Sequence, residues 1–239
     1  MGSLSVASRD ATVPFYDAFI DGMRELSRAQ GKNIGYRFFF ADGHAERLDA
    51  LAAELLAQPI DVVVVGPPQA LRALQKATAT VPIVMANVSN AVGNRFIASL
   101  ARPGGNITGI TAQNEVVLGK LIEQLRAAAP LARRIAVLVN ESNPSHRAFW
   151  EAAQAACAAL GLVPLRVVAG GLLSYAADFA QNYRDAASDV DKILRGAKPA
   201  DLPVAQPTRY QLALNLKTAR ALELTMPQSL LLQATEVIE

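Results

Sequence analysis

Gln58–Asn90 reads QPIDVVVVGPPQALRALQKATATVPIVMANVSN. Two apolar runs rich in β-branched residues, Ile60–Val65 and Val81–Ala86, flank a helix-patterned segment, Pro68–Thr78. Four consecutive valines with no polar alternation suit a strand buried on both faces, the mark of a parallel sheet. The run breaks at Gly66-Pro67-Pro68, where proline fits a first helical turn whose amides have no intrahelical partner. The second run ends in Asn87-Val88-Ser89-Asn90, a polar loop. In open parallel sheets ligands sit beyond the carboxyl ends of the strands. This unit is therefore read as the centre of a sheet, with its two exit loops as one wall of a site.

Working toward the amino terminus, Leu4–Ala7 is a short strand candidate followed by Ser8-Arg9-Asp10. Phe15, Phe19, Met23 and Leu26 recur at helical spacing, and Gly31 fits a helix stop. Asn33–Phe40 reads as a second strand, and Leu48, Leu51, Ala52 and Leu55 mark a second helix. The order is β-α-β-α-β-α-β, which predicts a right-handed, doubly wound parallel sheet.

Toward the carboxyl terminus, Arg102-Pro103-Gly104-Gly105-Asn106 is the strongest turn cluster of the chain. A second alternating series follows. Ile107–Thr111 is a strand candidate, Val117–Leu125 a helix, and Arg134–Val139 a strand ending in Asn140-Glu141-Ser142-Asn143-Pro144. Phe149–Leu160 is a helix and Leu162–Val168 a strand. A second Rossmann-like lobe is expected from about residue 108. Then the alternation fails. Val168 runs through Ala169-Gly170-Gly171 straight into Leu172–Tyr175, whereas parallel neighbours need a crossover of roughly a dozen residues or more. A helix over Phe179–Ile193, a strand at Tyr210–Asn215, a short helix at Leu216–Leu222 and a final amphipathic helix or turn over Pro227–Ile238 complete the reading.

The totals bound what such a chain can be. Its 239 residues are 51% hydrophobic and 18% charged, with a net charge of +2 and no Lys/Arg block. A sizeable core is available, and a phosphate-backbone binder is not indicated. No apolar run reaches the ~18 residues of a spanning helix. The start, MGSLSVASRD, has neither the basic segment nor the long apolar run of an export signal. The single Cys157 makes no internal disulfide and no multi-cysteine metal site, and its helical setting reads as core.

Several long segments closely resemble the ABC-transporter substrate-binding protein family with the type I periplasmic-binding fold, in the subgroup that includes tryptophan- and tyrosine-type amino-acid binders. They are PFYDAFIDGMRELSRAQGKNI (14–34), AERLDALAAELLAQPIDVVVV (45–65), ASLARPGGNITGIT (98–111), GGLLSYAADF (170–179) and the run from Tyr183 to Glu239. The resemblance implies two Rossmann-like lobes with parallel sheets joined by crossing strands. The first would comprise 1–107 plus about 172–208, the second 108–171 plus about 209–239. It implies a small ligand in the cleft between them, no cofactor, export to the periplasm or a lipid-anchored extracellular position, and a permease and ATPase as partners. Two departures stand out. Met1-Gly2-Ser3 falls where the family's first strand should already be under way. The second lobe is incomplete, because family members place about two further βα units, each on the order of 30 residues, before Gly170-Gly171.

Catalysis finds little support. His44 lies beside Asp42 and Glu46 in a loop, and His146 stands at a helix start without a placed partner. No nucleophile elbow, H-E-x-x-H or phosphate-loop motif occurs, and one cysteine rules out a two-cysteine racemase. The informative residues are polar ones at strand ends. Ser8, Gly66, Pro67, Gln69, Asn87, Ser89 and Asn90 would line the first lobe, with Thr111 and Gln113 near its crossing. Asn140, Glu141, Ser142 and Asn143 would line the second. Hydroxyls, amides and helix-start N–H groups suit a carboxylate, and an acid suits an ammonium group, so an amino acid or similar small molecule fits. For any one of them ordinary turn and capping use is the better explanation; their recurrence at consecutive strand ends in both lobes, together with the resemblance, favours the set as a site. Tyr175, Tyr210 and Trp150 are read as packing residues. The expected function is a non-enzymatic solute-binding protein. The alternatives are a ligand-sensing domain of a regulator or receptor, an α/β enzyme, and a non-binding remnant folded through its first lobe.

Overall fold

The computed structural model describes residues 1–112, 114–138, 146–167 and 172–239. In chain order the elements are β1 (Gly2–Ser5), α1 (Arg9–Glu25), β2 (Arg37–Phe40), α2 (Leu48–Leu56), β3 (Val63–Val65), α3 (Pro68–Ala77), β4 (Ile83–Ser89) and β5 (Ile107–Ala112). They continue as α4 (Asn114–Ala128), β6 (Arg134–Leu138), α5 (His146–Ala159), β7 (Val163–Val167), β8 (Leu173–Ala177) and α6 (Phe179–Leu194). The chain finishes with β9 (Tyr210–Asn215), α7 (Leu216–Ala221), α8 (Gln228–Leu231) and β10 (Glu236–Ile238). Two compact units result. The first is Met1–Ala112 with Asp178–Pro207, the second Gln113–Ala177 with Thr208–Glu239. β5 thus lies in the first unit and β8 in the second, whereas boundaries at 107 and 172 would place each on the other side.

The first unit holds a five-stranded sheet in the order β2-β1-β3-β4-β5, every pair parallel. The valine run explains itself here. Val63 and Val65 pack into one core with Leu48, Leu55, Leu71 and Leu74 of α2 and α3. Val62 and Val64 pack into the other with Tyr16, Phe19 and Met23 of α1 and Tyr183 and Val190 of α6. Alternate side chains point to opposite faces and both faces are covered, so no polar position is left in the strand. β5 approaches β4 unusually closely. Gly109 sits at φ +116°, and a Cβ there would lie 2.2 Å from the Met85 carbonyl oxygen. Only glycine tolerates both conditions.

α6 is tied to this unit by more than apolar contact. Arg28 donates to Asp191 of the helix at 2.8 Å, and in the segment that follows the helix the Leu202 carbonyl accepts from Thr108 at 2.7 Å. Asp178 caps the helix by accepting from Gln181 N at 3.0 Å.

The second unit has two sheets among the described residues. β6 and β7 form a parallel pair. β8, β9 and β10 form a three-stranded sheet with β8 antiparallel to β9 and β10 parallel to it. The expectation of parallel sheets in both lobes therefore holds for β6–β7 and gives way to a mixed sheet at β8–β10. The cores are smaller: Leu118, Ile122, Ile135, Val137, Ala153, Cys157 and Leu162 in one, and a group around Leu212, Leu214, Met226 and Leu230 in the other. The tail differs from the single helix-or-turn expectation. It divides into α8 and β10, and Thr235 anchors the division by donating to the Leu212 carbonyl through both its amide (2.8 Å) and its hydroxyl (3.0 Å). At the other terminus β1 is under way at Gly2 and pairs with β2 and β3.

Candidate functional site

In the strand order 2-1-3-4-5, the topology reverses between β1 and β3, and the crevice beyond their carboxyl ends is where such sheets take ligands. The reversal is visible in the packing. After β1 the chain crosses to the α1/α6 face, and after β3 it crosses to the α2/α3 face. Two helix amino termini therefore flank this point. Ser8 is the N-cap of α1, exposed and extended (φ −71°, ψ 163°), and its side chain makes no cap bond. Pro67 is the N-cap of α3 and has no side-chain donor or acceptor to offer. First-turn amides at such ends favour negative ligand groups. Asp10 in the first turn of α1 adds an acid suited to a cationic group.

Beneath the crevice lies a buried hydroxyl chain. Ser3 Oγ is 2.8 Å from the Val64 carbonyl, to which it donates, and 2.7 Å from Tyr16 Oη, from which it accepts. Tyr183 hydrogen-bonds Tyr16 in turn. Burial pushes the Tyr16 phenol up to about 12, and burial likewise holds Tyr183 well above its ordinary value. Both stay neutral and serve as rigid hydrogen-bonding posts. Tyr183 also sets the floor at Gly66, where a Cβ would lie 2.2 Å from its hydroxyl oxygen.

The other strand-end residues take distinct positions. Asn87 is half-buried, and its Oδ1 accepts from Asn182 Nδ2 at 3.1 Å, which fixes the orientation of both amides. Ser89 and Gln69 are half-buried near the ends of β4 and β3. Asn90 adopts a left-handed conformation (φ 49°) and accepts from Gly93 N at 3.1 Å, a turn role. Thr111 is buried. Its hydroxyl donates to the Val88 carbonyl at 2.8 Å and accepts from Ala91 N at 3.2 Å, so it clamps β4 to β5 across their register shift. Gln113, Asn140, Glu141, Ser142 and Asn143 lie outside the described residues.

Sequence reasoning singled out neither Ser3, Tyr16 nor Asn182. Asn182 carried a readable signal, an amide on the same helix as the apolar stripe Phe179–Tyr183–Ala186. Ser3 and Tyr16 had none beyond their place on core-facing elements. His44 is exposed and sits 3.0 Å from Glu46 Oε1. Tyr175 and Tyr210 stack at 5.5 Å across β8 and β9, and Trp150 packs against the α4–β6–α5 core. No group of three or more metal-ligating residues occurs among the described residues, and no helix there is long and apolar enough to cross a membrane. A cavity of about 420 Å³ lined by Met1, Arg28, Asn33 and Asp61 opens at the other end of the sheet, where the strands begin.

Comparison with known proteins adds a second line of observation. A family model described as ABC transporter substrate binding protein matches residues 3–168 and 159–238. A tyrosine-binding protein of Clostridioides difficile is 26% identical over 124 residues, 52% of this chain and 35% of that protein, so the chain matches about a third of its relative's length. Among solved structures, a Streptococcus ABC domain in complex with L-Trp superposes with a TM-score of 0.90 at 22% identity, covering 99% of this chain and 98% of that one. A conserved domain protein from Vibrio cholerae gives 0.91 at 20% identity with the same coverage. The open, ligand-free form of a Clostridium difficile substrate-binding protein gives 0.77 at 17%, again covering 99% and 98%. These likenesses show the fold.

Proposed function

Because the chain belongs to the ABC transporter substrate-binding protein family, we propose that it is the extracytoplasmic solute-binding component of an importer. The ligand is an amino acid or a similar small zwitterion, held at the carboxyl ends of β1, β3 and β4. Ser8, the Gly66–Gln69 turn, Asn87 and Ser89 contribute from the first unit, and Asn140–Asn143 from the second. The observation that carries this reading is the pair of helix amino termini at the reversal between β1 and β3. Neither is capped by a side chain, and both sit above the Ser3–Tyr16–Tyr183 floor. Uncapped amides suit the ligand carboxylate, and Asp10 or Glu141 suits its ammonium group. The binding proteins named above for tyrosine and L-Trp support an aromatic side chain on the ligand.

Transport function follows if the ligand prefers a closed arrangement of the two lobes, which a permease then recognises. A ligand with equal affinity for both arrangements shifts nothing. No chemistry is performed on the ligand. The competing reading is a remnant that no longer binds, and the large apolar side chains exposed in the second unit favour it. One titration separates the two. With L-Trp or L-Tyr at 100 times Kd, a binder gains about 2.7 kcal/mol, a rise in Tm on the order of 5–10 °C for a chain of this size. A cooperative unfolding curve that does not move with any of the common amino acids would sink the binder reading.

A further inference from the structure

β4 does not run evenly to its carboxyl end. From Met85 to Val88 it advances three residues while β5, from Gly109 to Thr111, advances two, so β4 carries one extra residue. The cores show where that residue falls. Ile83 and Met85 pack on the side of α2 and α3, Val84 and Ala86 on the side of α1 and α6. Strict alternation would return Asn87 to the α2/α3 side and send Val88 to the α1/α6 side. Val88 instead packs with α2 and α3, and Asn87 meets Asn182 of α6. The extra residue turns Asn87 to the other face, the re-aiming of a side chain that bulges perform beside functional sites.

The partner it meets there is rigidly placed. Asn182 is 3% exposed near the start of α6, where its amide closes a helical turn on the Asp178 carbonyl at 3.0 Å. Its Nδ2 donates to Asn87 Oδ1 at 3.1 Å. A primary amide has an accepting end and a donating end. With the Asn87 oxygen held by the helix, its Nδ2 keeps two N–H donors, and no described residue accepts either of them. Its neighbours differ. The Asn90 oxygen and the Thr111 hydroxyl are bonded to backbone.

We infer that Asn182 is a positioning residue for the candidate site. It holds the Asn87 amide with its donors outward, so the carboxyl end of β4 takes a hydrogen-bond-accepting group of the ligand. The inference rests on the reading of the chain as an amino-acid binder, and it adds the direction in which the ligand lies. β3 is the neighbour of β4, and the α3 amino terminus that follows β3 brings its first-turn amides to the same end. The ligand carboxylate therefore lies over β3 and β4. Asp10 follows β1, one strand further across the sheet, and the ammonium group points that way. Asn182 touches no ligand and acts through Asn87.

The test compares L-tryptophan with L-tryptophanamide by calorimetry on the full chain. The amide keeps the shape and the ammonium group but replaces one acceptor oxygen by an N–H donor. The parent is expected to prefer the acid. In Asn182→Asp the helix offers only acceptors, so Asn87 turns its Nδ2 inward and its Oδ1 outward. The acid-to-amide affinity ratio then falls by about tenfold or more, the size of one hydrogen bond to a charged group. Asn182→Ala frees the amide and lowers the ratio severalfold. If Asn182→Asp does not fold, Asn182→Ala decides. Two variants that keep the parent's ratio, or lose both compounds alike, would reduce the pair to a tie between α6 and β4 and overturn this inference alone. A parent that binds neither compound would overturn the amino-acid reading first, and this inference with it.

Discussion

The two units are built from the same kinds of element and differ in how thoroughly those elements are covered. In the first, alternate valines of β3 go to opposite cores, and nothing apolar on the central strands is left facing water. In the second, β7 also has apolar residues at successive positions, but Val163 and Leu165 stay exposed. Among the described residues, Val13, Val92 and Phe179 are the large apolar side chains exposed in the first unit, against nine in the second. The lesson is that a β-branched run signals burial on both faces only when a helix follows on each side. A strand of the same composition with only one covered face leaves its other apolar side chains in water, as Val163 and Leu165 are.

The largest effect expected from this contrast is at Gly109. Gly109→Ala forces a Cβ against the Met85 carbonyl at a positive φ, and destabilises the first unit by about 3 kcal/mol or more. Urea unfolding followed by far-UV circular dichroism would show it. A midpoint unchanged within error would mean that β5 can move away from β4.

Next comes a matched pair of truncations. Leu74→Ala, at a fully buried position, costs about 2–5 kcal/mol. Leu165→Ala, on the exposed face of β7, changes stability by no more than about 0.5 kcal/mol. Equal costs would erase the distinction between the two units.

A third measurement uses pH. The Tyr16 phenol has its folded pKa raised to about 12, above the ~10 of an unfolded tyrosine. The unfolded chain loses its proton first as pH rises. The contribution is fully present below pH 10 and is lost progressively between pH 10 and 12, so Tm falls across that window. Tyr16→Phe flattens the fall. A fall of the same steepness in the variant would assign it to other groups.

The smallest stability effect is expected at Ser8. Its hydroxyl makes no cap bond, so Ser8→Ala moves Tm by less than about 2 °C, a shift under roughly 0.5 kcal/mol. Affinity for an amino-acid ligand should nonetheless drop severalfold by calorimetry. A variant that binds as tightly as the parent would remove Ser8 from the binding edge.

Much of the first unit was legible in the chain. The valine run, the prolines at the start of α3 and the 3.6-residue spacing in α1 are local signals, and each corresponds to a local cause. β2 was read too long because Ile34 and Tyr36 are apolar yet lie outside the strand, Ile34 in an isolated bridge to Gln30. The second unit was less legible. β10 depends on a neighbour some twenty residues away, and three residues of Glu-Val-Ile carry no pattern that announces a strand. For the candidate site, topology alone singled out the strand-end residues of the first unit. The Asn87–Asn182 pairing and the Ser3–Tyr16–Tyr183 chain join residues distant in sequence, which no spacing rule connects. Thr111 shows the converse. Its chemistry suited a ligand, and only the geometry reveals that both capacities of its hydroxyl are met by backbone.

The return of α6 to the first unit has a consequence for synthesis. The five-strand sheet is fully translated by Ala112, but the helix that covers its Tyr16 face begins at Phe179. At about 5–20 residues per second, the intervening Gln113–Ala177 takes on the order of 3–13 s to emerge. During that interval Val62, Val64, Val84 and Ile110 form a half-clothed sheet beside the ribosome. The nascent chain is therefore most vulnerable to misassociation while its best-covered unit is still incomplete. A holdase acting on this protein would be needed before Tyr183 leaves the exit tunnel and dispensable after it.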